Sequence, residues 1–221
     1  MIKNLKLEIK NLIVMHVPVL KDEVIQYLDP QPNQNFIDCT LGFAGHTATI
    51  LQRNGPNGKV LGIEIDKDIC ELAKRKIAEF SIINYQFSND RLMVVNDSYT
   101  NLKEIVEREK FQPVDGILLD LGMSSWDLEQ SGRGFSFQKD EPLDMRYAVQ
   151  SAKCKVQSLT AQEIINEWSE EKLVKIFSEY GQERFARNIA QKIIEVRRQQ
   201  PIETTFQLIE VIRKSFPRSY K

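Results

Sequence analysis

The feature that most constrains this chain is a regular alternation over its first 121 residues. Four short apolar runs recur there, at 35–40 (NFIDCT), 59–65 (KVLGIEI), 91–96 (RLMVVN) and 115–121 (DGILLDL). Between them, at 46–53, 67–80 and 100–110, apolar residues return with the period of a helix. A further stripe at 18–28 starts with Pro18 and sets Val19, Leu20, Val24, Ile25 and Leu28 on one face. Strand and helix in strict alternation predict βαβ units, a parallel sheet and a Rossmann-like α/β fold. Asn54-Gly55-Pro56-Asn57-Gly58 reads as a plain turn. The fourth run is continuously apolar, the pattern of a strand covered on both faces. Nothing after it reads as a strand, so it is expected at an edge, with its ladder open.

Beyond Leu121 the rhythm stops. Residues 122–146 are polar and carry Gly122, Gly132 and Gly134, while 160–179, 181–199 and 204–215 read as helices. Thr160 with Glu163 forms a capping box for the first of these. Trp168, Leu173, Ile176 and Phe177 have the spacing of a core stripe, and Phe135 and Phe137 are assigned to the core rather than to base stacking. The sheet is therefore expected to be incomplete at Lys221.

Composition narrows the partners. Net charge is −1, so the whole molecule does not attract nucleic acid by charge alone. Residues 184–221, however, hold nine Lys or Arg against three Glu, a local excess of six positive charges. That stretch suits either a phosphate-facing surface or a solvated helix face. Cys39, Cys70 and Cys154 form no CxxC pair, so neither a disulfide framework nor a metal site is expected. No apolar run is long enough to span a membrane. The first fifteen residues alternate Lys with Leu and Ile, and contain Glu8 and no Arg. This is not the pattern of a signal peptide, and a cytoplasmic location is expected, with the mitochondrial matrix as the alternative.

The chemistry is concentrated at the ends of the predicted strands. The first ends in Asp38 and runs into Gly42-Phe43-Ala44-Gly45-His46-Thr47, where a helix begins. Small residues let backbone approach a ligand, and the helix start offers free N–H groups to an anion. The second strand ends at Glu64, nineteen residues after Gly45, where a carboxylate can accept both hydroxyls of a ribose. A nucleoside cofactor fits this order of parts. NAD would use the same acid but usually a G-x-G-x-x-G loop, which is not present here. S-adenosylmethionine carries no phosphate and is served by a shorter loop, with His46 near its methionine end. The fourth strand ends in Asp120-Leu121-Gly122-Met123-Ser124-Ser125. A carboxylate followed by small polar residues can orient an exocyclic amine, and alignment is the chief requirement of methyl transfer.

At these residues the chain resembles the ribosomal RNA small subunit methyltransferase H family, also called MraW. The resemblance runs from His16-Val17-Pro18-Val19-Leu20 to about residue 216. It includes Gly42–Thr47, Asp115–Gly122, Ser124-Ser125, the string Arg133-Gly134-Phe135-Ser136-Phe137 and the string Pro142-Leu143-Asp144-Met145-Arg146. It continues through Tyr180–Ala186 and Pro201–Thr205. The resemblance implies an S-adenosylmethionine-dependent methyltransferase acting on the N4 of a cytosine at the decoding region of assembled small ribosomal subunits. It implies cofactor contacts at Gly42, Ala44, Gly45, His46, Glu64, Tyr99, Asp120 and Asp127, with Asp120, Ser124 and Ser125 at the chemistry. It divides the chain into a methyltransferase part (1–123), an inserted helical substrate-recognition domain (124–216) and the start of a return to the first domain (217–221). Arg133, Arg146, Arg184, Arg187, Arg197 and Arg198 are the candidates for RNA contact, and a homodimer is a further partner expectation.

Three departures from the family pattern stand out. Ala44 stands where Gly is usual, which is harmless only if its φ is negative. Glu64 replaces Asp, so a longer arm must fold back to reach the same hydroxyls. Trp126-Asp127 stands where Pro-Gln is common, and an ionised Asp cannot donate a hydrogen bond. The chain also lacks the family's later segments. Two rival readings follow: a truncated, inactive fragment that keeps RNA or partner binding, and an NAD-type oxidoreductase.

Overall fold

The computed structural model describes residues 18–83, 89–147 and 159–216. His16, Val17, Cys154, residues 217–221 and the first fifteen residues lie outside them. Among the described residues, 18–122 form one compact unit, and 123–147 with 159–216 form a second.

The first unit runs α1 (Lys21–Leu28), β1 (Phe36–Asp38), α2 (Gly45–Arg53), β2 (Val60–Glu64), α3 (Lys67–Ile83), β3 (Leu92–Asn96), α4 (Leu102–Glu109) and β4 (Gly116–Leu118). The four strands are all parallel, in the order β3-β2-β1-β4. Period-two alternation sorts their side chains onto two covered faces. Phe36 and Val60 pack with Ile25, Ala48, Ile50, Leu51, Ala73 and Ile77, from the three helices α1, α2 and α3. Ile37, Leu61 and Ile63 point the other way, against Val95, Ile105 and Phe111, with α4. A parallel sheet with helices on both faces is a Rossmann-like α/β unit.

The fourth strand does stand at an edge, as its position in the sequence suggested. Its apolar run is not covered on both faces. Ile117 is 45% and Leu119 47% exposed, since β4 pairs with β1 on one side and no other described strand lies beyond it.

Arg91 pins the turn between α2 and β2. Its guanidinium, 5% exposed, donates to the carbonyls of Gly58 (2.7 Å) and Leu51 (2.8 Å) and to Asn54 Oδ1 (2.5 Å). Leu51 O is one of the carbonyls that α2 leaves unpaired at its C-terminus, where a cation is favoured.

The second unit is helical: α5 (Ser125–Glu129), α6 (Ala161–Glu167), α7 (Glu170–Glu179), α8 (Ala186–Arg197) and α9 (Thr205–Ser215). Its core gathers Leu143, Ile165, Leu173, Ile189, Ala190, Ile193, Ile202 and Val211. The predicted helix 160–179 is two helices. Trp168 is extended (ψ 150°), and the Ser169 side chain accepts the N–H of Lys172 to start α7. The expected capping box at Thr160 and Glu163 is present, and two more occur at Ser124–Asp127 and Thr204–Gln207. Leu173 is fully buried, and Trp168, Ile176 and Phe177 pack around it as expected. Phe137 is not core: it is 74% exposed, while Phe135 packs against Tyr147 with ring centroids 5.2 Å apart and the rings tilted by 41°. No described helix is long and apolar enough to cross a membrane.

Candidate active site

Because the strands are all parallel, their C-terminal ends share one edge of the first unit. Asp38, Glu64 and Asn96 end β1, β2 and β3 there, and Asp120 follows β4 by two residues. The loop from β1 to α2 crosses the same edge. It is held in a tight shape by left-handed residues, Gly42 (φ 49°) and Ala44 (φ 59°). The condition for a harmless alanine at 44 is therefore not met. Its buried methyl sits in a conformation that costs a non-glycine residue about 1–2 kcal/mol. Gly45 is forced for a different reason, since a Cβ there would come within 2.5 Å of Pro18 Cγ.

Glu64 braces this loop. Its Oε2 accepts the N–H of Gly42 (3.0 Å) and its Oε1 accepts the N–H of Asp66 (2.9 Å). The longer arm does fold back, onto backbone. Burial pushes its carboxyl above the ordinary glutamate range, and the bonds from Asp66 and Gly42 oppose that shift. Each oxygen keeps lone-pair capacity beyond these bonds.

His46 lies in the first turn of α2, 7% exposed. Both its ring nitrogens are buried without a hydrogen-bond partner. Nε2 stands 3.6 Å from Asp120 Oδ2, a close approach but longer than a hydrogen bond. The alternative of a histidine bonded to backbone is not what the fold provides. An unpartnered, buried polar ring at a helix N-terminus is an acceptable neighbour for a carboxylate-bearing ligand.

The sequence named Asp38 and Thr47 with the strand end and loop but gave them no role, and it passed over Thr40. Asp38 is 1% exposed, and its Oδ2 accepts the Thr47 hydroxyl (2.7 Å) while Oδ1 accepts the Thr40 N–H (3.2 Å). Burial raises its carboxyl above the aspartate range against those two bonds; His46 also lowers it and Asp120 raises it. The Asp-x-Thr pattern of an Asx turn was the available signal.

The other expected positions divide between the two units. Tyr99 is 43% exposed and opens a short 3-10 turn after β3, at the same edge as Glu64. Ser124, Ser125 and Asp127 belong to the second unit. There Ser124 Oγ donates to Asp127 Oδ2 at 2.6 Å and accepts the Asp127 N–H at 3.2 Å, capping α5. The polar groups of Ser124 and Asp127 are thus engaged with each other, and S-x-x-D was a legible capping signal.

The arginine candidates also separate. Arg146 forks onto Asp144 (2.5 and 2.7 Å) and thereby holds that carboxyl below its ordinary range. Arg133 donates to the carbonyls of Tyr147 (2.7 Å) and Arg146 (3.2 Å) and lies over the Trp126 ring. Arg197 donates to the Ile165 carbonyl at 2.7 Å. Arg184, Arg187 and Arg198 are exposed, with Arg184 over the Phe185 ring. Among the described residues no cluster of His, Cys, Asp or Glu could hold a metal ion.

Residues 13–221 match the model of the MraW methylase family. The chain is 38% identical to the ribosomal RNA small subunit methyltransferase H of Symbiobacterium thermophilum, over 92% of this chain and 60% of that protein. It is 39% identical to the same-named protein of Thermotoga neapolitana, over 91% of this chain and 62% of the relative. It thus spans about three fifths of the length of these relatives. A solved rRNA methylase from Streptococcus thermophilus matches 45% of this chain and 53% of its own, at 16% identity and a TM-score of 0.36.

Proposed function

We propose, from the premise that the chain belongs to the MraW methylase family, that it binds S-adenosylmethionine at the β1–α2 loop. We propose further that it serves methylation of a cytosine N4 in small-subunit ribosomal RNA, in the decoding region. The observation that carries this reading is His46, buried at a helix N-terminus with both ring nitrogens unpartnered. It lies between the loop braced by Glu64 and the carboxylate of Asp120.

The donor set fits the cofactor. Glu64 would take the ribose hydroxyls on its remaining lone pairs. His46 and the first turn of α2 would face the methionine carboxylate, and Tyr99 stands at the same sheet edge. When bound, the cofactor supplies an electrophilic methyl group on a sulfonium. Asp120 supplies an acceptor for the cytosine amine, whose lone pair is otherwise delocalised into the ring. It orients that amine and takes the proton released as nitrogen forms its new bond to carbon. Its side chain is 41% exposed, so solvent can relieve it of that proton. In this reading the helical second unit is a substrate-recognition insert, Ser124 and Asp127 shape its first helix, and Arg184, Arg187 and Arg198 face RNA phosphates. The cytoplasm is the compartment in which the reaction runs.

The test is transfer of labelled methyl from S-adenosylmethionine to assembled small subunits, followed by nucleoside digestion. Label in N4-methylcytidine is the expected result. Label confined to another nucleoside, or none with cofactor demonstrably bound, overturns the assignment.

A further inference from the structure

Among the described residues β4 is paired on one side, with β1, and its ladder stops before Asp120. The register pairs Asp38 with Leu118, and the Cys39 N–H donates to the Leu118 carbonyl at 2.9 Å. Two residues further on, the pairing is continued by a side chain. The Thr40 hydroxyl accepts the backbone N–H of Asp120 at 2.8 Å. Thr40 is itself fixed, because its own N–H donates to Asp38 Oδ1. Asp38, fully buried, is tied through its other oxygen to Thr47, the neighbour of His46 on α2. A continuous brace therefore runs from the start of α2 through Thr47, Asp38 and Thr40 to the backbone of Asp120. It joins the two residues, His46 and Asp120, whose side chains stand 3.6 Å apart.

We infer that Thr40 is a positioning residue for Asp120, anchored by Asp38, and that it sets turnover rather than cofactor affinity. This rests on the role given to Asp120 above. Where β4 has no second neighbour among the described residues, the last bond on its paired side fixes where the following residue stands. A small misplacement of an orienting group is expensive in rate. The contact made by Thr40 is to backbone, so it leaves the Asp120 carboxylate free for its proposed task.

The experiment compares Thr40→Val with Thr40→Ser in the full chain. Valine keeps the shape and removes the acceptor, and serine restores it. Asp120 is exposed, so its freed N–H can meet water and the fold survives, which thermal melting checks. For Thr40→Val we expect turnover on small subunits to fall about tenfold, the scale of one lost hydrogen bond in the transition state. S-adenosylmethionine affinity by calorimetry should stay within about twofold, and the Asp120 amide should exchange its hydrogen faster. Thr40→Ser should return both turnover and amide protection. Unchanged amide exchange in Thr40→Val, a loss falling wholly on cofactor affinity, or no rescue by serine overturns the inference. If the unaltered chain transfers no methyl group, the functional reading fails separately. Amide exchange and its rescue then decide the Thr40 contact by themselves.

Discussion

Replacing Glu64 tests the core of the cofactor assignment. This carboxylate accepts two backbone N–H groups, from Gly42 at 3.0 Å and Asp66 at 2.9 Å. Glu64→Ala removes both and leaves the loop start without its brace. The accompanying loss of stability is tempered because burial already disfavours the charge. The net cost to folding is therefore about 1–2 kcal/mol, rather than the sum of two charge-assisted bonds. The cofactor loses more directly. Bonds from ribose hydroxyls to a carboxylate are charge-assisted, so S-adenosylmethionine affinity should drop by about 1.5–3 kcal/mol, roughly 10- to 150-fold. Glu64→Gln keeps the length and one acceptor but turns an amide donor towards a backbone donor. It should lose about 1 kcal/mol of affinity, less than alanine. Calorimetric titration at a temperature well below each variant's melting point measures these effects. Glu64→Ala with the affinity of the unaltered protein would refute the argument. So would Glu64→Gln binding more weakly than Glu64→Ala.

Three further outcomes are expected. Arg187→Gln and Arg198→Gln should each flatten the log–log salt dependence of RNA binding by roughly one unit per lost phosphate contact, whereas Arg197→Gln should mainly lower the melting temperature, since its guanidinium donates to the Ile165 carbonyl; slopes for Arg187→Gln and Arg198→Gln unchanged from the unaltered protein would assign the stretch to a solvated face. Asp38 has a raised carboxyl, so the folded state keeps a proton that the unfolded chain releases from about pH 4 upward. The stability of the unaltered protein relative to Asp38→Asn should therefore fall as pH rises through that window and level off above the folded value; a difference that grows with pH over the same range would contradict the assignment. Arg91→Lys cannot fork onto Gly58, Leu51 and Asn54 together and should cost about 2–4 kcal/mol by denaturant titration, with an unchanged midpoint counting against the pinning of this turn.

Much of this molecule follows from local sequence. Period-two and period-3.6 patterns are consequences of backbone geometry, so the four strands and the helices between them could be read directly. The strands came out up to three residues shorter at an end than their apolar runs, as at 115–121, which became Gly116–Leu118. The order loop, helix, strand, acid placed Gly42, His46 and Glu64 at one sheet edge, because parallel strands put all their C-terminal ends together. The capping box at Thr160 was legible for the same local reason.

What required the tertiary structure was every property set by residues distant in sequence. Ala44 adopts positive φ because the loop must turn between β1 and α2 beneath Glu64, 20 residues away. Phe137 lies outside the core and Arg197 is bonded to a carbonyl 32 residues earlier; hydropathy and charge alone assigned the opposite to both. Asp38 looked like an ordinary strand end, yet it is buried and bonded to the Thr47 hydroxyl, a contact made only once β1 and α2 have packed. Thr40 meets Asp120 across 80 residues because β4 inserts beside β1 rather than beside β3. Sequence fixes which groups are available to a site, and strand order decides which of them touch.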